Sequence, residues 1–257
     1  RVALQRFESV DASDIWIADL ERGVATRFTD ELGTNEAPLW SPDGTRIAYG
    51  WSNNSAQVLK IKSLVGDTVA TFLESDPLFK RDHRWSPDGQ NIIYSRLDPS
   101  TQWDIWVLPL GGDRKPFPYL RTRFSESNAE VSPDGRWLLY QSDESGQIEV
   151  YVQSFPVAGG KYQVTNGGGT YPTWSRDGRQ IYYGLNSDPT HAFEADVQVG
   201  GEFRLGPPRV AITPPKDARG LMLAHTGKRF LALLPAGNDP VPSITVVLDG
   251  LPKAAGR

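Results

Sequence analysis

The sequence predicts an all-β protein, a β-propeller of six blades of mostly four antiparallel strands, with the first and last blades incomplete. Three observations lead there. One stretch recurs, as "PLWSPDGTRIAYG" (38–50), "HRWSPDGQNIIYS" (83–95), "AEVSPDGRWLLYQ" (129–141) and "PTWSRDGRQIYYG" (172–184). Its serines, Ser41, Ser86, Ser132 and Ser175, stand 45, 46 and 43 residues apart, a period that belongs to repeat architectures. Finally, 20 prolines and 25 glycines are spread through 257 residues. Few stretches of twelve escape both, which suits short strands joined by turns and leaves little room for helices.

Each element can be justified in order. In the turn, Pro42 presets φ for the second position of a type I turn and Asp43 can bond the local backbone. Gly44 stands where a three-residue hairpin needs a left-handed residue. Every SPDG thus joins a first strand, ending in Trp or Val, to a second such as "RIAYG". Third strands follow as "QVLKIKSL" (57–64), "DIWVLPL" (104–110), "EVYVQSF" (149–155), "FEADVQV" (193–199) and "SITVVLD" (243–249). Fourth strands read "VATFLE" (69–74), "KPFPYL" (115–120), "KYQVTN" (161–166) and "PRVAIT" (208–213). At the N-terminus "RVALQRF", "DIWIADL" (14–20) and "ATRFTD" (25–30) match second, third and fourth strands. A degraded fifth turn lies in "LMLAHTGKRFLALL", with Ala224 in the serine place and Gly227 keeping the glycine. The expected blades are 1–31, 32–76, 77–123, 124–168, 169–213 and 214–250, with a tail over 251–257, in one domain spanning 1–257.

Composition bounds the function. The absence of cysteine removes disulfides, thiolate metal sites and a thiol nucleophile. A formal charge of −4 argues against a nucleic-acid surface, which carries a basic excess. No run of 18 apolar residues exists to cross a membrane. The opening "RVALQRF" has neither a starting methionine nor the apolar core of a signal peptide, and reads as a soluble piece of something longer.

The repeated W-S-P-D-G, followed by an I-x-Y or L-x-Y strand and a D-I-W or E-V-Y strand, resembles the TolB-like propeller repeat, also called WD40-like PD40. The segment "FPVAGGKYQVTNGGGTYPTWSRDGRQIYY" through "SITVVLDG" is most similar to the propellers C-terminal to bacterial serine/threonine kinases. No kinase motif or G-x-S-x-G elbow accompanies it. The resemblance implies a recognition domain, periplasmic or extracytoplasmic, that binds a protein or a small ligand.

In a propeller the first strands line the axial channel, and the residues leading into them form one mouth. The variable positions there are Ala37, Asp82, Asn128, Tyr171 and Gly220, preceded by Glu36, Arg81, Ser127, Thr170 and Arg219. Symmetry serving folding and asymmetry serving binding predicts a ligand site from Glu36, Arg81, Asp82, His83, Asn128, Tyr171 and Arg219. The alternative makes them solvated residues of a wet channel. Glu36, Asp82 and Asn128 carry oxygens suited to Ca²⁺ or another divalent cation. His83 would then be the general base of a hydrolase acting on lactones or phosphoesters. That rival resembles, loosely, the channel-metal propeller enzymes.

Other repeated residues read as structural. The turn aspartates Asp43, Asp88, Asp134 and Asp177 sit on separate hairpins, so no two can share a proton. Asp14, Asp104 and Glu149 open third strands and are expected to bond a neighbouring backbone or blade. Trp40, Trp85 and Trp174 share one register, which favours packing between blades; Trp51 and Trp103 lie outside it and could face a ligand. His191 and His225 read as surface histidines.

Overall fold

A computed structural model describes residues 1–9, 12–53, 56–66, 68–73, 78–198, 203–213, 220–223 and 230–233. It contains strands and turns, with no helix among the described residues. The chain divides into two compact units, Arg1–Ala129 and Glu130–Arg257.

The first unit opens with β1 (Val2–Ser9), β2 (Ala12–Asp19) and β3 (Val24–Arg27), the expected partial blade. A four-stranded meander follows: β4 (Thr34–Trp40), β5 (Arg46–Ser52), β6 (Gln57–Ser63) and β7 (Val69–Phe72). One parallel pairing, Ser13 with Thr34, links the two groups. The next sheet runs β8 (Lys80–Trp85), β9 (Asn91–Asp98), β10 (Gln102–Pro109) and β11 (Phe117–Leu120). Alternation explains the packing: successive residues of a strand point to opposite faces, and in β5 and β9 both faces are buried. Ala48, Leu59, Ile61, Trp85, Ile92, Tyr94 and Leu108 form one core, and Ile15, Ile47 and Tyr49 another.

The third sheet is β12 (Glu126–Val131), β13 (Trp137–Ser142), β14 (Glu149–Ser154) and β15 (Lys161–Gln163). The fourth has β16 (Gly169–Trp174), β17 (Gln180–Leu185), β18 (Asp188–Gln198), the short β19 (Arg204–Leu205) and β20 (Arg209–Ile212). Leu139, Val150, Val152, Trp174, Ile181, Tyr183 and Phe203 pack as the second unit's core. A pair, β21 (Gly220–Leu223) and β22 (Phe230–Leu233), carries the degraded repeat. Antiparallel sheets at the repeat period make this an all-β propeller fold. The strand expected at 243–249 lies outside the described residues.

Two expectations need correction. The third strand of the fifth blade starts at Asp188, not Phe193, because the hairpin from β17 closes already at Leu185 and Asp188. The SPDG turn spans four residues rather than three. Ser41 N donates to Arg46 O at 2.9 Å, but Arg46 N donates to the Ser41 hydroxyl at 3.0 Å, since Gly44 N holds the Ser41 carbonyl. The serine hydroxyl therefore replaces a ladder acceptor. It in turn donates to Asp43, whose Oδ1 also accepts Thr45 N. Ser86, Ser132 and Ser175 repeat the pattern, each buried. Gly44, Gly89, Gly135 and Gly178 all have φ between 66° and 75°, where a β-carbon would be strained.

Candidate functional site

At the other end of three of the first strands the ladder slips. The register of β4 on β5 shifts between Glu36 and Leu39, that of β8 on β9 between Arg81 and Arg84, and that of β16 on β17 between Thr170 and Thr173. Within each slip lies a left-handed residue: Ala37 (φ 49°), Asp82 (56°) and Tyr171 (51°). Asn128 in β12 has φ 52°. All four stand four residues before their turn serine. Non-glycine residues there cost about 1–3 kcal/mol each and persist where the surroundings impose them. A bulge re-aims the side chains it carries. Backbone geometry is thus constant at a place where the side chain is alanine, aspartate, asparagine or tyrosine.

In the first unit the predicted residues fall into separate groups. Glu36 lies over Gly50 of β5, where an added β-carbon would come within 3.2 Å of its Cγ. Arg81 pairs with Asp82 (Nε to Oδ2, 3.1 Å) and lays its guanidinium 3.8 Å from the centre of the Trp103 ring. Phe79 meets the same indole edge-on at 5.9 Å and is half exposed. Arg81, Asp82, Trp103 and Phe79 therefore form one cation–aromatic cluster. Phe79 was not legible as a site residue, although Trp103 stood outside the packing registers. Asn128 is partly buried. Among the described residues Glu36 shares no hydrogen bond or ion pair with Asp82 or Asn128, and no three His, Asp or Glu side chains form a metal-holding group.

His83 is partly buried, stacked on Tyr94 at 6.2 Å. Burial, reinforced by repulsion from Arg84 and Lys80, pushes its imidazole down to about 4. At neutral pH it is an uncharged hydrogen-bonding group, and a weaker proton acceptor than a free imidazole.

In the second unit Tyr171 is 76% exposed, while its backbone N–H is anchored on Gln141 Oε1 at 3.2 Å. The ring stands out on a fixed stem. In the same sheet His191 Nδ1 lies 2.7 Å from Asp188 Oδ2. Hydrogen bonds from Thr190 and then His191 outweigh burial and hold the Asp188 carboxyl below its usual range. This local pair lies within the first residues of β18. Arg219 and His225 lie outside the described residues.

The residues read as structural behave so. Asp14 accepts Thr29 Oγ1 at 2.8 Å and pairs with Arg27. Asp104 accepts Thr101 Oγ1 at 2.8 Å, and burial pushes its carboxyl up. Glu149, fully buried, accepts Thr165 Oγ1 and the N–H groups of Gly167 and Gly168. Burial raises Glu149, but those bonds prevail and hold it below its usual value. Trp85 and Trp174 donate their indole N–H to Leu39 O (3.2 Å) and Glu130 O (3.3 Å), tying one first strand to the preceding one. The Ser41 hydroxyl, with Thr45, holds Asp43 down to about 2.

Comparison with known proteins follows this geometry. Residues 37–208 match the profile of the TolB beta propeller domain, PD40. An uncharacterised protein of Agrobacterium fabrum is 31% identical over 153 residues, 58% of this chain and 50% of that protein. The Tol-Pal system protein TolB of Bordetella pertussis is 27% identical over 118 residues, 45% of this chain and 26% of that protein. The chain thus spans half or less of the length of these relatives. The crystal structure of TolB from Acinetobacter baumannii superposes with a TM-score of 0.64 at 20% identity, covering 82% of this chain and 51% of that one. At such identity the superposition speaks for the fold alone.

Proposed function

The chain belongs to the TolB β-propeller domain family, and from that premise we propose that it is a recognition module, binding a protein or small ligand through the bulged ends of its first strands. The observation that carries this reading is the left-handed residue repeated at Ala37, Asp82, Asn128 and Tyr171, three of them within a bulge. A fold that keeps a strained backbone at one register while changing the side chain invests in display, not packing. Exposed aromatic and arginine groups are what such a surface needs, because Trp, Tyr and Arg dominate binding energy at interfaces. Arg81 on Trp103 supplies one such anchor and Tyr171 another.

The resemblance to the kinase-linked propellers supports a place in a larger bacterial protein, with the module on the extracytoplasmic side. No helix among the described residues is long and apolar enough to cross a membrane. The test is site-specific photo-crosslinking in an extract of the source bacterium. A benzophenone side chain at position 171 is expected to give a discrete protein or ligand adduct; the same group at the exposed Val157, after β14, is not. Equal labelling at both positions overturns the reading. So does lactone or phosphoester hydrolysis that needs a divalent cation and is lost in Asp82→Ala, which would instead favour the metal reading of Glu36, Asp82 and Asn128.

A further inference from the structure

A second site, independent of the bulged ends, emerges when one turn-end gap is compared with its repeat. In the first unit the gap between the Ser41 and Ser86 turns is filled by Arg46, the first residue of β5. Its guanidinium lies 4.9 Å from the centre of the Trp85 ring. One nitrogen is 3.9 Å from Asp43 Oδ2, and a β-carbon on Gly89 would stand 3.8 Å from it. An arginine thus sits on a tryptophan floor, beside a carboxylate, against a bare glycine.

In the second unit the walls recur between the Ser132 and Ser175 turns. Asp134 takes the register of Asp43, Trp174 that of Trp85, and Gly178 that of Gly89. Pro133 approaches Gly178 as Pro42 approaches Gly89, with contacts of 3.4 and 3.8 Å to a built β-carbon. The occupant differs. At the register of Arg46 stands Trp137, whose ring packs on Phe203 at 5.2 Å and Tyr162 at 5.9 Å. A cavity of ≈ 500 Å³ is left, lined by Trp174, Asp134, Asp177 and Arg179 among others.

We propose that this cavity takes a guanidinium group from outside the chain, seated over Trp174 as Arg46 is seated over Trp85. The charges can be followed one by one. Asp134 is held by Arg136 at 2.8 Å, and Asp196 by Arg209 at 2.6 Å. Asp177 uses Oδ1 for the Ser175 hydroxyl and Arg179 N, and its Oδ2 has no partner among the described residues. That oxygen is the acceptor left for a guanidinium. Arg179, exposed and without an ion pair among the described residues, bears the same charge as the guest and opposes it. Guanidinium is preferred over ammonium because it is planar, weakly hydrated and stacks on an indole face.

The test is titration of the ¹⁵N-labelled protein with methylguanidinium, with blocked arginine, with a blocked Gly-Arg-Gly peptide and with blocked lysine, following the Trp174 indole resonance. Saturation at millimolar concentrations is expected, about fivefold or more weaker for lysine. Tighter binding of the peptide than of methylguanidinium identifies an arginine side chain as the guest; equal binding identifies a small guanidinium ligand. Asp177→Asn is expected to weaken binding about threefold to fivefold, and Arg179→Gln to strengthen it by a similar factor. Trp137→Arg, which restores the first unit's occupant, should abolish it. An unmoved Trp174 resonance, or titrations unchanged by Asp177→Asn and Arg179→Gln, overturns the proposal whether or not Trp137→Arg folds.

Discussion

The two ends of each first strand solve opposite problems with equally constant backbones. At the turn end, sequence and conformation repeat together: serine, aspartate and glycine return, with Ser41, Ser86, Ser132 and Ser175 all buried and all accepting the N–H five residues on. At the bulged end only the conformation repeats, while the side chain changes from blade to blade. The difference teaches where selection of a residue is for folding and where it is for display. A constant side chain on a constant backbone satisfies the chain's own hydrogen bonds. A variable one on a strained backbone has no such duty.

This contrast is breakable in several ways. The largest expected effect is Trp174→Ala, which removes a core indole and its bond to Glu130; a loss of about 3–5 kcal/mol in denaturant unfolding is expected. Ser132→Ala should cost about 1–3 kcal/mol, because Trp137 N then loses its buried acceptor. At the bulged end the sign changes. Tyr171→Gly relieves a left-handed residue, so stability should stay within about 1 kcal/mol of the parent or rise, while co-purification of the partner identified by the position-171 crosslink is lost. A loss at Tyr171→Gly as large as that at Ser132→Ala would erase the distinction between the two ends.

A pH-dependent effect concerns His83, beside the bulge. Its pKa falls from 6.5 to about 4 on folding, so the unfolded chain binds the proton first as the pH drops. His83 therefore contributes stability at neutral pH that is lost progressively below about 6.5 and fully gone below about 4. His83→Gln should flatten the pH dependence of unfolding across that window. An unchanged profile would show that the ring is not desolvated.

Much of this was legible in the residues. Period, turn chemistry and alternation gave the strands from β1 to β18 nearly in place, because SPDG is read locally and its neighbours alternate. The role of the serine hydroxyl was not, since a side chain standing in for a ladder acceptor leaves no periodic trace. Nor was the bulge: the register of Ala37, Asp82, Asn128 and Tyr171 marked them as variable, yet four different residue types conceal one backbone conformation. Phe79 escaped because its meaning depends on Trp103, more than twenty residues away in sequence. The carboxylates Asp14, Asp104 and Glu149 were read as structural from their position, but among the described residues only Glu149 takes backbone N–H groups, whereas Asp14 and Asp104 bond the hydroxyls of Thr29 and Thr101 within their own blades.

The most direct measurement is a single variant with glycine at Ala37, Asp82, Asn128 and Tyr171 together. Its unfolding would be followed in denaturant, and its capture of whatever partner position 171 crosslinks would be assayed. Separation of display from folding predicts a protein at least as stable as the parent that no longer captures the partner. A variant that unfolds, or one that folds and still binds, would contradict it.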